Sequence, residues 1–277
     1  MTAGWGRTAL RGIGFHRVIE ADVVAYVLAE LTAGRGGRIV TPNVDILRRT
    51  TNDDEARRHV GSATVVVADG APLVWASRLA GQPLPARVAG SDLIWSLSEA
   101  LGGAGLSVYL LGGEPGTAEI AASVLADRFP TLVMSGFDSP PFGFDTDPAA
   151  LDLVIQQAVE AKPDLVFVGL GFPKQERLIH QLRVALPGTW FMGCGAAIGF
   201  VAGVRRRAPE WMQRSGLEWL HRLVSEPRRL VRRYLLHDVP FAVQLLATSA
   251  LARVRRRPSP RPVTPGSEPL PLEVGQE

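Results

Sequence analysis

The chain has 277 residues, one cysteine and a formal charge of only +3. That length fits one large domain or a domain with an appendage, with enough chain to bury a sizeable core, and the lone Cys194 excludes a disulfide framework or a cysteine-based zinc site within the chain. The N-terminus lacks the continuous apolar run of a signal peptide, and no uncharged apolar stretch reaches the ~18–20 residues that cross a bilayer; the nearest, 239–252, falls short, so the expected compartment is the cytoplasm.

Along the chain, short apolar runs alternate with helix-like segments. The runs are GRIVTPN, ATVVVADG, SVYLLGG, TLVMSGF, DLVFVGLG and TWFMGCG. Each is apolar on successive residues, as expected of strands covered on both faces. Helices are predicted over 53–60, 71–80, 92–101, 115–128, 148–161 and 174–185. This alternation predicts parallel βαβ units in a layered α/β domain, placed at 1–204. Basic residues then gather in 205–257. Within 208–237, Leu220, Leu223, Val224, Val231, Tyr234 and Leu235 fall at helical spacings. Two short amphipathic helices are expected there, the second starting at Pro227, in an arginine-rich helical appendage over 205–255. Residues 256–277, rich in proline and poor in large apolar groups, read as a disordered tail.

Ligands of open α/β sheets bind at the carboxyl ends of the strands. Here those ends are polar and glycine-rich: Thr41 and Asn43, Asp69 and Gly70, Gly112 and Gly113, Gly171 with Lys174 and Gln175, Gly193 and Gly195. Five such ends on one sheet predict a pocket along one side. LLGGEPGTAEI is a strand, a glycine turn and a helix start, which suits a phosphate or is simply a tight turn. It departs from GxGxxG, because Glu114 stands where the second glycine would be. Asp69 follows four apolar residues and is either a general base or the cap of a helix starting near Pro72. Arg87 lies in a proline-bounded loop, near phosphates or merely in solvent; Asp92 reads as part of a helix cap. Lys174 sits at a helix start, where a cation opposes the dipole unless an anion arrives, and Gln175 could hydrogen-bond a sugar hydroxyl. Asp145 and Asp147 read as a loop and a helix cap. The five histidines are scattered without metal-ligand spacing, so no metal is expected.

TPNVD, VVVADGAPLVWASRLAGQPLPARVAGSDL, VYLLGGEPG, PDLVFVGLGFPKQE and RRAPEWMQRSGLEWLHRLVSEPRRLVRRYL occur in that order. Together they resemble the WecG/TagA/CpsF family of bacterial glycosyltransferases, over roughly residues 10–237. The resemblance implies a Rossmann-like parallel sheet with helices on both faces and a C-terminal amphipathic appendage. It implies an inverting, metal-independent transfer of a sugar from a UDP-sugar to an undecaprenyl-diphosphate-linked saccharide, at the cytoplasmic membrane face, in cell-surface polysaccharide or teichoic-acid-type synthesis. No cofactor is implied beyond the donor itself. Self-association that competes with membrane binding is also implied.

By motif position, Asp69 resembles the family's general base. Thr41 and Asn43 resemble residues beside the donor sugar, and Arg87 and Gln175 resemble polar groups holding donor or acceptor. Gly112, Gly113, Gly171 and Lys174 complete the candidate binding set. Arg222, Arg229 and Arg232 match appendage arginines that neutralise diphosphate charge, which is what a leaving nucleotide needs without a metal; Arg228 and Arg233 are then expected at the membrane surface. The stretch AAIGFVAG departs from the family pattern: Gly199 stands where an aspartate is usual. The segment 239–252 reads as lying beyond the shared pattern. The donor sugar stays open among N-acetylmannosamine, its uronic acid and hexoses.

Two readings compete. A nucleotide-sugar oxidoreductase or epimerase would need the dinucleotide fingerprint that is absent. A nucleic-acid-binding module would use the arginine helices, but bulky Trp and Leu interleaved with the arginines suit an interfacial helix better. No nucleic-acid partner is therefore expected.

Overall fold

The computed structural model describes residues 4–255. The predicted tail, 256–277, lies outside the described residues. An antiparallel hairpin comes first, β1 (Arg7–Leu10) and β2 (Ile13–His16). Then α1 (Glu20–Thr32), β3 (Gly37–Val40), α2 (Val44–Asn52), α3 (Asp54–Gly61), β4 (Val65–Val66), α4 (Ala71–Leu79) and α5 (Gly90–Gly103) follow. The second half runs β5 (Ser107–Gly112), α6 (Thr117–Arg128), β6 (Val133–Asp138), α7 (Pro148–Glu160), β7 (Leu165–Gly169), α8 (Lys174–Ala185), β8 (Trp190–Gly193) and α9 (Ala197–Val201).

All six apolar runs become strands of one parallel sheet, in the order β4-β3-β8-β7-β5-β6. Strand side chains alternate between faces, and both faces are covered. Val108 and Leu110 of β5 pack with α1, α5, α6 and α9. Tyr109 and Leu111 point the other way, into a layer with α7 and α8. A third cluster at the β4 edge joins the hairpin, α2, α3 and α4. The predicted helices are present as α3 to α8. The hairpin, α1 and α2 were not predicted, although Val23, Val27 and Leu31 of α1 recur every four residues and are buried.

The appendage differs from its expected form. It is not two short helices but α10 (Glu210–Arg214), α11 (Glu218–Ser225) and α12 (Pro227–Arg233), then a π-helical turn at Tyr234–Asp238 and α13 (Val239–Arg255). Pro240 explains the π turn. A proline inside a helix has no N–H to donate and clashes with the carbonyl four residues earlier; widening the preceding turn relieves both and keeps the axis running. The segment judged too short to cross a membrane is therefore part of a 25-residue helix, Leu230–Val254, that is long and apolar enough to do so by length and composition. Its inner face is committed to protein: Phe241 and Leu245 are buried with Leu10, Leu73 and Ala76.

Candidate active site

All six strands of the sheet end in loops that line one cavity of 590 Å³. It runs along the crest of the sheet, from Asp69 after β4 to Phe142 after β6. Five inter-strand steps of about 4.8 Å make that crest about 24 Å long. Thr41, Asn43, Gly113, Gly171, Lys174 and Gln175 all line it, as the sequence predicts. Gly112 does not. Its φ is +116°, and a Cβ there would lie 2.8 Å from the Gly169 carbonyl carbon, so its role is the close approach of β5 to β7.

Asn43 is the N-cap of α2, its Oδ1 accepting from the Ile46 amide at 3.0 Å. That occupies the oxygen and leaves the amide end of the side chain for the cavity. Gln175 is 4% exposed, and its Oε1 accepts from the amides of Gly171 and Gly195 at 3.1 and 3.2 Å. The sequence suggested a sugar contact for Gln175. The structure makes it a staple between the β7 and β8 loops. Behind it, Glu176 forms a buried ion pair with Arg38 at 3.1 Å, with the side chains 0% and 2% exposed. Arg38 also donates to the His59 carbonyl and Ser62. Burial pushes the Glu176 carboxyl upward against the opposing pull of Arg38. Lys174 pairs with Asp145 at 2.9 Å and sits 5.1 Å from the Phe142 ring centre. Asp147 caps α7 as predicted.

Asp69 is not a helix cap. The N-cap of α4 is Gly70, which makes no side-chain cap bond and has φ +132°, a conformation that needs glycine. The carboxylate is instead enclosed by charged groups from two regions of the chain. Arg87 Nη1 lies 3.9 Å from Asp69 and 3.1 Å from Glu218 of α11. Arg87 Nη2 reaches Asp92 at 3.1 Å, and Arg207 reaches Asp92 at 2.6 Å. Arg87 is thus a bridge between Asp69 and the appendage rather than a loop arginine in solvent, and Asp92 serves the same bridge. Desolvation pushes the Asp69 carboxyl up to about 6, against the lowering influence of Arg87; Glu218 adds to the rise and Arg222 opposes it. Cys194, also in the wall, is pushed by burial up to about 12, which disfavours the thiolate.

A second cavity of 320 Å³ opens on the other side of Asp69, between α4 and the appendage. Trp75, Phe200, Trp219, Tyr234 and Leu246 make much of its wall. Asp69, Asn43, Arg222 and Arg233 line both cavities. Arg222 stacks over Phe200 at 5.9 Å, and its buried Nε has no hydrogen-bond partner among the described residues.

The appendage arginines are arranged differently from the sequence expectation. Leu230 and Tyr234 are buried, which sets the rotation of the last helix. Arg232, two residues beyond Leu230, falls on the opposite side and is exposed. Arg233 falls beside the buried stripe and lines both cavities, paired with Asp45 at 2.9 Å and Asp238 at 3.5 Å. Arg233 thus takes the inward place expected of Arg232, and Arg232 the outward place expected of Arg233. Arg228 is exposed, as expected. Arg229 lies in α12; its side chain is outside the described residues.

A family described as "Glycosyl transferase WecG/TagA/CpsF family" matches residues 8–256. The chain belongs to this family. It is a WecG/TagA/CpsF glycosyltransferase, and the match extends through α13, so the segment 239–252 is part of the shared pattern rather than an addition to it. Relatives include the N-acetylglucosaminyldiphosphoundecaprenol N-acetyl-beta-D-mannosaminyltransferase of Bacillus subtilis (strain 168), 31% identical over 197 residues, 71% of this chain and 75% of the relative. The enzyme of the same name from Bacillus spizizenii is 32% identical over 216 residues, 76% of this chain and 81% of the relative. That of Staphylococcus aureus (strain MW2) is 30% identical over 213 residues, 76% and 79% of the two chains. In this glycosyltransferase the sequence found the crest residues but missed Arg233 and the Arg38–Glu176 pair. Arg233 was legible once the buried stripe through Leu230 and Tyr234 was fixed; the ion pair joins residues 138 positions apart and has no local signature.

Proposed function

We propose that the chain transfers an N-acetylmannosamine-type residue, its uronic acid or a hexose from a UDP-sugar to an undecaprenyl-diphosphate-linked saccharide, with inversion and without a metal. The observation that carries this reading is the place of Asp69, a carboxylate 3.9 Å from Arg87 where a long cavity along the sheet crest meets a shorter aromatic one. A donor stretched along the crest sets its anomeric carbon near Asp69, its diphosphate mid-sheet and its base near Phe142, which is fully exposed beside Lys174. The acceptor sugar enters the aromatic cavity, where Trp75 and Trp219 offer faces to its C–H surface. Asp69 takes the proton from the acceptor hydroxyl as that oxygen attacks the anomeric carbon and the C–O bond to the diphosphate breaks. One displacement with one base inverts the configuration. Arg222, with no ion pair among the described residues, and Arg233 meet the charge that develops on the leaving diphosphate. The acceptor class follows what the relatives' names state of those enzymes.

The same reading places the protein on the inner face of the cytoplasmic membrane. Trp211, Val224, Leu236, Val243, Leu251 and Val254 are exposed on the appendage, with Arg228 and Arg232 among them. Apolar side chains that sink and arginines that meet anionic head groups suit an interface. A second copy covering this face would compete with the membrane.

Calorimetric titration of UDP in the presence of EDTA is expected to give saturable binding with one site per chain. Absence of binding until a divalent metal is added would contradict the metal-free part, and absence under both conditions would contradict the donor.

A further inference from the structure

Gly199 lies in α9 in the wall of the long cavity, and Arg205 lies across it. The Arg205 amide donates to the Gly199 carbonyl at 3.1 Å, which folds the chain back over the helix. A Cβ at position 199 would stand 3.3 Å from Arg205 Cδ and 3.6 Å from its Cγ. The bare glycine is therefore the seat of the arginine stem. From that seat the guanidinium reaches both sides of the core–appendage boundary: Nη1 is 2.8 Å from Glu226 and Nη2 is 3.4 Å from Glu114. The two contacts are unequal. The Glu226 side chain is 28% exposed and close, whereas the Glu114 side chain is 68% exposed and farther, where water screens the attraction. One edge of the guanidinium is anchored and the other loosely held at the cavity wall.

The position along the crest identifies the ligand. Gly199 follows β8 and Glu114 follows β5, and β7 lies between those strands. Arg205 thus stands at mid-crest, between the Asp69 end and the Phe142 end. We propose that Arg205 is a ligand of the donor diphosphate, exchanging Glu114 for phosphate oxygens while Glu226 keeps it in place, and that Gly199 is the position that admits it. The planar guanidinium fork suits two phosphate oxygens at once. This inference rests on the nucleotide-sugar reading above.

The test is titration of UDP and of uridine, followed by NMR, into the full chain and its Arg205→Ala, Arg205→Lys and Gly199→Ala variants. Arg205→Ala is expected to weaken UDP binding about tenfold or more, the scale of a charged hydrogen bond, and to leave uridine within about twofold. Arg205→Lys should fall between. Gly199→Ala should weaken UDP by a smaller factor and add nothing in the Arg205→Ala background, because its effect passes through the arginine. UDP affinity unchanged in Arg205→Ala overturns the proposal, and so does an equal loss for uridine, which marks a general distortion. If the unaltered protein binds no UDP, the nucleotide-sugar reading itself has failed.

Discussion

Asp69→Asn is expected to lower kcat by about 10²–10⁴-fold, the usual contribution of a positioned base, while UDP affinity stays within a few fold. Asparagine keeps the shape and the hydrogen-bonding reach of the side chain but accepts no proton. The cavity and its cations stay in place, so the donor still binds and only the chemical step suffers. The pH dependence of the native enzyme carries the same signature. A carboxyl raised to about 6 in the free enzyme is protonated below that value, so kcat/KM should fall as pH drops through about 6 rather than near 4. The sign follows from the cause: burial disfavours the charged form, and the transfer needs the charged form. An Asp69→Asn enzyme with native kcat, or an acid limb near 4, would remove Asp69 from the role of base.

The largest effect on stability is expected from Arg38→Met. The guanidinium and the Glu176 carboxylate are both sealed from water. Removing one partner leaves an uncompensated buried charge, which costs about 3–5 kcal/mol. For a domain of this size, each kcal/mol shifts Tm by about 2–4 °C. The loss should depend on pH. The folded-state pKa of Glu176 is raised by burial, with Arg38 as the main opposing influence; without Arg38 it rises further. A carboxyl with a raised folded pKa stabilises the fold most when protonated, and that stability fades as pH climbs through the folded value. The Arg38→Met protein should therefore lie closest to the native Tm near pH 5 and farthest from it near pH 8. Replacing Glu176 by Leu in the same protein should recover most of the loss, because no charge is then left buried. A Tm deficit that is flat between pH 5 and pH 8, or that the second replacement deepens, would contradict this account. The link to the cavity runs through Gln175, whose Nε2 donates to Glu176 Oε1 at 3.4 Å.

The inner strands were legible because they are covered on both faces and so read as unbroken apolar runs; Leu165–Val168 is buried at every position, whereas β6, at the sheet edge, leaves Val133 and Phe137 exposed. The crest residues followed, since the ends of parallel strands are where polar and glycine residues have a use. The hairpin was not legible: its turn is Arg11–Gly12, at φ +50° and +83°, with arginine where asparagine, aspartate or glycine is usual. Asn43 was read as a strand end, though an asparagine three residues before a helical amide is also a capping signal. The errors concentrate in the appendage. Apolar residues occur on more than one side of its helices, and Val231 and Leu235 are 43% and 49% exposed, so sequence spacing alone did not reveal which stripe faces the core. Burial of Leu230 and Tyr234 decides it, and with it which arginine faces the cavity.

The most direct test is a transfer assay read by mass spectrometry. The enzyme, in EDTA, is offered UDP-N-acetylmannosamine, its uronic acid, UDP-glucose and UDP-glucuronic acid with a short-chain polyprenyl-diphosphate N-acetylglucosamine acceptor. The expected result is one added sugar on the acceptor from one of these donors, lost in Asp69→Asn. Release of free sugar and UDP with no glycosylated lipid, or transfer that persists in Asp69→Asn, would contradict the account.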